Sequence, residues 1–270
     1  MLSNELLNLS DSDYKKTMQN NIKLFCKQFY YIQALNWVKS TGNGSAAAGK
    51  TYEDLVGKAQ DRMYLPDFLG IEIKTKSVAA KRKMCLFNMA PDSEPNIIKS
   101  LWKNNGWRSR KNDLREFYAT VDSLDFSNDH RKYAFKLKVD YENECIRLLI
   151  RKNWDDNNFI DDTFYWSFEQ LKNRLTLKLS YLALIHYEIK KSYDETYFKF
   201  TTLDLYCLKD FDSFLKLIED GKILVDFKIL THDKGEDFGK PNDKGTSFII
   251  SEDNLDFLFE KIPIQNFIFS

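Results

Sequence analysis

Histidine, cysteine and proline are scarce in this chain, and neither sign of charge predominates. The 270 residues include 3 histidines, 4 cysteines and 5 prolines, while 40 lysines and arginines balance 40 aspartates and glutamates. So few histidines argue against a metal site built from several imidazoles. A net charge of zero excludes a uniformly basic nucleic-acid-binding protein, although it leaves room for a local basic patch.

The cysteines are widely separated, and none forms a C-x-x-C pair; they are Cys26, Cys85, Cys145 and Cys207. This spacing indicates neither a zinc site nor a disulfide framework, and it is typical of reduced thiols in a cytoplasmic protein. The chain also lacks a run of about 18 apolar residues, the length that a membrane-spanning helix needs. We therefore expect a cytoplasmic protein that does not enter a membrane.

Aromatic residues are abundant. They make up 15% of the chain, with 21 phenylalanines and 14 tyrosines, and 43% of all residues are hydrophobic. This composition and length provide a core for one large domain or two smaller ones. The mixture of helical and strand-like patterns predicts an α/β fold with a mixed sheet, in the broader class of mixed α and β proteins.

Hydrophobic periodicity predicts the longest elements. Apolar residues at steps of three and four predict helices over residues 12–40 and 167–191, and we expect His186 to be a structural residue of the second. Residues 68–76 alternate in the manner of a strand.

One segment matches a nucleotide-binding pattern. Residues 44–51 read G-x-x-x-x-G-K-[ST], in which backbone N–H groups and a lysine hold phosphates. That loop requires a buried strand directly before it, whereas here the predicted helix of residues 12–40 precedes it and a short helix over 51–62 follows. A nucleotide-binding protein is therefore an alternative interpretation, and we expect that Lys50 binds no ATP.

A second motif follows at once, and it suits phosphodiester hydrolysis. Pro66 and Asp67 are followed after four residues by Glu72-Ile73-Lys74. Glu72 and Lys74 are two positions apart on the predicted strand, so their side chains point to one face. Asp67 lies at the turn before that strand, where its carboxylate can approach Glu72. Because two acids so close repel each other without a cation, the pattern predicts a divalent metal site.

The segment around these residues resembles the catalytic core of the MvaI/BcnI restriction endonucleases and of the related MutH mismatch-repair nickase, both in the PD-(D/E)xK nuclease superfamily. The resemblance covers about residues 41–107 and rests on Gly49 to Glu53, Pro66-Asp67 and Gly70 to Lys76. It implies a restriction-endonuclease-like core, in which a central mixed sheet is flanked by helices, and a smaller recognition lobe.

The resemblance also implies roles for individual residues. Asp67 and Glu72 would bind Mg²⁺, with Mn²⁺ as a substitute, Lys74 would be the catalytic lysine and Glu53 a supporting carboxylate. We assign residues 1–195 to the catalytic lobe and residues 196–270 to the recognition lobe, with interleaving of the two lobes along the chain as an open alternative. The implied protein is a bacterial, cytoplasmic, monomeric type II restriction endonuclease that cuts double-stranded DNA and has a partner DNA methyltransferase acting on the same site.

The charge pattern supports contact with DNA. Between Glu72 and Arg115 there are eleven basic and four acidic residues. Such a local excess of positive charge is what phosphate binding requires. The DNA-binding candidates in this region are Lys76, Lys81, Arg82, Lys83, Arg108, Arg110 and Lys111.

A polar loop predicted over residues 231–246 offers side chains that can read bases. Its candidates are His232, Lys234, Asn242 and Lys244, and Asp226 in the preceding strand matches a position that reads a base in some family members. The family's histidines are replaced here by Asn242 and Lys244, and its arginine by Ile249, so the recognised sequence does not follow from the resemblance.

Two further interpretations remain open besides nucleotide binding. A MutH-like repair nickase would depend on methylation and on an activating partner. A non-catalytic DNA-binding module would keep the fold without the chemistry, although the intact set of Asp67, Glu72 and Lys74 argues against it.

Overall fold

A computed structural model describes residues 10–57, 65–81, 83–127, 132–152 and 160–268. The chain divides into two compact units, each built from separated segments. Unit 1 comprises residues 1–81, 174–209 and 259–270, and unit 2 comprises residues 82–173 and 210–258. The boundary predicted at residue 195 falls within unit 1, and the segments of the two units alternate along the chain. The assignment of a catalytic and a recognition lobe stays a prediction.

Within the described residues the helices are α1 (Asp11–Ala34), α2 (Ala47–Leu55), α3 (Ile97–Ser100), α4 (Phe168–Leu179), α5 (Phe211–Glu219), α6 (Leu255–Leu258) and α7 (Gln265–Ile268). The strands are β1 (Val38–Lys39), β2 (Ile71–Ser77), β3 (Met84–Asn88), β4 (Trp107–Arg108), β5 (Arg115–Val121), β6 (Tyr133–Asp140), β7 (Cys145–Lys152), β8 (Ile160–Ser167), β9 (Tyr181–Ser192), β10 (Glu195–Leu208), β11 (Ile223–Thr231), β12 (Pro241–Ile250) and β13 (Phe259–Ile262). The mixed α and β composition is confirmed.

Helix α1 forms where the apolar period predicts it, but it is shorter than expected. Ser10 caps it, because its side chain accepts a hydrogen bond from the N–H of Asp13 at 3.3 Å. The helix ends at Ala34, and Asn36 has a left-handed backbone with φ 61°. The helix predicted to residue 40 was therefore wrong at its end, where Val38 and Lys39 form a short strand instead.

Unit 1 is built on a five-stranded mixed sheet. Its order is β1-β10-β9-β2, with β13 also paired to β10. The β2–β9 pair is parallel, and the other pairs are antiparallel. Helices α1 and α2 pack their buried residues on one face of this sheet, over Ile71, Ile73, Ala183 and Ile185. The predicted mixed sheet with flanking helices is confirmed for this unit.

The helix predicted over residues 167–191 was wrong in its second half. Helix α4 ends at Leu179, and Tyr181 begins the long strand β9. Leu182 to Ile185 are 0% exposed, because β9 lies between β2 and β10 and is covered on both faces. A short continuous apolar run has no distinctive period, so only its neighbours decide between helix and strand.

Unit 2 packs a five-stranded sheet and a three-stranded sheet around an aromatic core. The sheets have the orders β3-β12-β11-β5-β4 and β6-β7-β8. The core contains Trp166, whose ring meets Phe227 and Phe248 with centroids 6.1 and 5.5 Å away. Strand β12 begins at Pro241, so the loop predicted over residues 231–246 is shorter and spans residues 232–240.

The four cysteines carry free thiols, as their spacing predicts, and two of them, Cys26 and Cys145, are buried. Among the helices of the described ranges, none has both the length and the apolar character that crossing a membrane requires.

Candidate active site

A tight turn places Asp67 beside the strand that carries Glu72. The backbones of Phe68 and Ile71 exchange two hydrogen bonds of 2.9 and 2.8 Å across this turn. Its two central residues, Leu69 and Gly70, have φ of 46° and 90°, the left-handed values of a turn that closes a hairpin. Asp67 is thereby folded back, and its Oδ2 accepts the N–H of Ile73 at 2.9 Å.

Helix α1 supports this turn from outside the motif. The side-chain amide of Asn21 donates to the carbonyl oxygen of Leu69 at 2.9 Å. Leucine is strained in the left-handed region by about 1 to 2 kcal/mol. A hydrogen bond to that residue's carbonyl helps to hold the conformation on which the position of Asp67 depends.

Glu72 lies between two ammonium groups. Its side chain is only 2% exposed, with Lys74 Nζ 2.7 Å from Oε1 and Lys178 Nζ 2.8 Å from Oε2. Lys178 belongs to the last turn of α4. The two lysine side chains are 21% and 18% exposed, so the ion pairs lie at the edge of the protein interior.

Burial raises the pKa of the Glu72 carboxyl. Lys74 opposes this rise, Asp67 adds to it through like charge, and Lys178 opposes it again. The two acids are therefore close enough to repel, which is the arrangement that the motif predicts. A further positive charge between them would relieve both the repulsion and the burial penalty.

The carboxylate pair fits a hard divalent cation. Glu72 Oε2 is buried, and the ammonium of Lys178 lies 2.8 Å from it. In the parts of the chain that the structure describes, no group of three or more His, Cys, Asp or Glu could hold a metal. Two carboxylates are still sufficient for Mg²⁺, which commonly keeps several waters and takes further oxygens from a phosphate.

Glu53 is not gathered into a three-carboxylate cluster with Asp67 and Glu72. It lies on α2, which packs on the side of the sheet formed by Ile71 and Ile73. Gly49, one turn earlier, permits a close approach to β2, because a β-carbon there would lie 3.5 Å from Thr75 Oγ1. The supporting role of Glu53 stays a prediction.

The residues of the nucleotide-binding pattern are engaged within the protein. Lys50 forms an ion pair with Asp54 at 2.9 Å. The hydroxyl of Thr51 donates to the carbonyl oxygen of Ala47 at 2.7 Å and accepts the N–H of Thr41 at 3.0 Å. With its lysine paired and its threonine 1% exposed, the segment resembles a helix start rather than a phosphate-binding loop.

The basic candidates occur in both units. In unit 1, Lys76 continues the face of Glu72 and Lys74 on β2, and Lys81 is exposed. In unit 2, Lys83 is exposed. Arg82 lies outside the described residues.

The hairpin of β4 and β5 carries the remaining basic candidates of this region. Arg108 pairs with Asp113 at 3.0 Å, which partly neutralises it. Arg110 and Lys111 are exposed in the turn between these two strands.

The base-reading candidates all lie on β11, β12 and the loop between them, in unit 2. Asp226 is 8% exposed, pairs with Lys228 at 2.7 Å and accepts the hydroxyl of Thr120 at 2.9 Å. His232 and Lys234 lie in the connecting loop. Asn242 and Lys244 are in strand β12 rather than in the loop.

Sequence reasoning missed Lys178 and Asn21. Lys178 is 104 residues beyond Lys74, and the pattern that predicts its helix does not predict its contact with Glu72. For Asn21, the sequence offers one signal: its polar side chain lies between the apolar positions Met18 and Ile22 of α1.

Comparison with known proteins adds three findings. The family model for the MvaI/BcnI restriction endonuclease family matches residues 26–259. A solved structure described as a restriction endonuclease MvaI–cognate DNA substrate complex is 31% identical, with a TM-score of 0.81, and the match covers 90% of this chain and 98% of that one. The structure of restriction endonuclease MvaI in the absence of DNA is 30% identical, with a TM-score of 0.58 and coverage of 90% and 96%. No curated protein matches the chain.

Proposed function

Since this chain belongs to the MvaI/BcnI restriction endonuclease family, we propose that Asp67, Glu72 and Lys74 form the centre at which it hydrolyses duplex DNA with Mg²⁺. Family membership makes it a type II restriction endonuclease, a site-specific nuclease that binds DNA. The observation that carries the assignment of the centre is the buried carboxylate of Glu72, held beside Asp67 and 2.7 Å from Lys74.

Asp67 and Glu72 would hold the metal ion, and we expect Mn²⁺ to substitute for Mg²⁺. When bound there, the ion supplies positive charge to the phosphate under attack. The turn at Leu69 and Gly70 keeps Asp67 against β2, and burial removes competing water from Glu72. Both carboxylates thus contribute fixed negative charge at one end of the strand.

Lys74 acts on the reacting groups themselves. Its ammonium projects from the same face as Glu72, where it can orient the attacking water and stabilise negative charge that develops on the phosphate. Lys74 contacts Oε1 of Glu72, whereas Lys178 contacts the other oxygen, Oε2. Glu53 is the supporting carboxylate on α2.

The DNA-binding residues and the setting of the enzyme belong to the same proposal. Lys76, Lys81, Arg110 and Lys111 bind backbone phosphates, together with Lys83, Arg82 and Arg108, while Asp226, His232, Lys234, Asn242 and Lys244 contact bases. The protein acts as a cytoplasmic monomer beside a DNA methyltransferase that modifies the same sequence.

The decisive experiment is digestion of a sequenced plasmid with Mg²⁺, followed by mapping of the ends. We expect discrete ends for the wild type, and no cleavage for Asp67→Ala and Lys74→Ala, which should still bind DNA. Lys191→Ala, at the exposed end of β9, and Asp194→Ala, in the turn after it, are matched controls that should cut normally.

Full activity of either active-site variant would refute the assignment of the centre. Products nicked in one strand only, with cleavage that depends on a partner protein, would favour a MutH-like nickase. Random ends would argue against recognition of a defined sequence.

A further inference from the structure

His186 lies in the sheet of the candidate active site and not on a helix. On β9 it is the register partner of Lys76 on one side and of Thr202 on the other. Lys76 follows Glu72 and Lys74 at two-residue steps along β2, so all three project from one face. Ile73, Ala183 and Ile185 are buried on the opposite face. His186 therefore shares the face that carries the catalytic residues.

Along β9, the side chains on this face change from buried to partly exposed at His186. Leu182 and Leu184, the preceding residues of β9 on this face, are 0% exposed. Further along the strand His186 is partly exposed, and its partner Thr202 is exposed. The described residues His186 and Thr202 are thus more exposed than the residues of β9 that precede them on this side of the sheet.

The imidazole is held in a defined orientation. Its Nδ1 lies 3.1 Å from the hydroxyl oxygen of Thr202. When the threonine hydroxyl donates to Nδ1, the ring proton of neutral histidine is on Nε2, because the partner of one nitrogen fixes the tautomer. In the protonated ring Nε2 also carries a proton. In both states Nε2 is a hydrogen-bond donor, which is what a phosphate oxygen requires.

A DNA strand that brings its scissile phosphate to Lys74 must continue over adjacent positions of the same face. Lys76 is two residues from Lys74, about 6.6 Å along the strand, and β9 is about 4.8 Å to the side. We infer that His186, oriented by Thr202 and beside Lys76, binds a backbone phosphate next to the scissile one. This inference rests on the function proposed above, and it adds a phosphate-binding residue to it.

Two variants separate the phosphate contact from a structural role. His186→Asn keeps a side-chain oxygen near the position of Nδ1 for Thr202 but has no group at the position of Nε2. His186→Gln places an amide N–H₂ near Nε2. Loss of a hydrogen bond to a charged phosphate weakens binding about tenfold. We therefore expect His186→Asn to bind a duplex containing the mapped cleavage site about tenfold more weakly, and His186→Gln to recover part of the loss.

The decisive measurement places single neutral methylphosphonates at successive positions of that duplex. We expect one position beside the scissile phosphate to weaken the wild type and His186→Gln but to have no further effect on His186→Asn. Such coupling is direct evidence of contact, because independent changes add. Additive effects at every position, for variants with the melting temperature of the wild type, would overturn the inference. If His186→Asn fails to fold, Thr202→Val, which releases the ring, is tested in the same way.

The outcomes distinguish the two proposals. A wild type that makes no cut with Mg²⁺ contradicts the proposed centre, whatever His186 does. A wild type that cuts at a defined site, together with additive methylphosphonate effects, contradicts only the role of His186.

Discussion

At the scale of single residues, the candidate site is defined by the positive charges that surround one buried carboxylate. Glu72 is 2% exposed, and two lysines from distant parts of the chain contact its two oxygens. An unpaired buried charge is strongly unfavourable, so these lysines make the ionised carboxylate compatible with its burial. A metal ion bound by the same carboxylate would reduce the need for them.

Lys178→Met tests this balance, since it removes the charge but keeps much of the side-chain volume. We expect the free energy of unfolding without metal to fall by about 1 to 3 kcal/mol, because a buried charged acceptor loses a partner. Mg²⁺ should then raise the melting temperature of the variant more than that of the wild type, since a ligand stabilises the state that binds it.

Thermal melts with and without Mg²⁺ measure both effects, and Lys178→Arg, which keeps the charge, is the control. Equal Mg²⁺-induced shifts in the wild type and in Lys178→Met would show that the lysine and the ion act independently.

At the scale of elements, the turn before β2 brings Asp67 and Glu72, which are separated in sequence, into one site. Four residues separate Asp67 from Glu72, and the turn within them brings Asp67 back to the N–H of Ile73. The motif predicts that the carboxylates meet. It does not predict the left-handed Leu69, because a leucine there is unusual and is accepted only with support such as the contact from Asn21.

Gly70→Ala should disturb both stability and cleavage. At φ 90° a β-carbon is strained, and we expect a loss of about 1 to 2 kcal/mol in unfolding free energy. Cleavage per folded molecule should also fall, because Asp67 loses its fixed position. Gly57→Ala has a similar backbone strain at φ 76° with open space around it. It should lower the melting temperature but leave cleavage unchanged, and equal activity of the two variants would contradict this role of the turn.

The error in the helix predicted over residues 167–191 has a cause at the same scale. The run from Tyr181 to Ile189 is apolar enough to suit either a buried helix or a central strand. Pairing with β2 on one side and β10 on the other makes it a strand. Strand β10 follows β9 directly in a hairpin, but β2 is distant in sequence. No local pattern could have revealed the pairing with β2, and His186 was placed incorrectly for the same reason.

At the scale of the whole molecule, one ion pair contributes to the free energy of unfolding in a way that depends on acidic pH. In unit 2, a hydrogen bond from Arg147, supported by one from Asn143, lowers the pKa of Asp140 from 3.8 to about 2. A carboxyl whose pKa is lowered by folding stabilises the protein above its unfolded pKa. That contribution is lost as the pH falls from about 4 towards about 2.

Asp140→Asn should therefore be less stable than the wild type at pH 7, and the difference should shrink as the pH falls through that range. Urea unfolding followed at several pH values measures the difference. Asp113→Asn is the control, since the Asp113 and Arg108 side chains are 78% and 73% exposed and such pairs contribute little. A difference between Asp140→Asn and the wild type that stayed constant with pH would exclude this role of Asp140.

The sequence by itself determined the candidate site of this protein: the carboxylates of Asp67 and Glu72, the ammonium of Lys74, and the strand period that turns Glu72 and Lys74 to one face. These features depend on neighbouring residues and on backbone geometry, which local patterns express. Tertiary structure alone decided that Lys178 contacts Glu72, that His186 joins the row of Lys76, and that two units are assembled from alternating segments. Each of these depends on pairing between distant strands or helices, and the free energy of such pairing is not encoded in any local window.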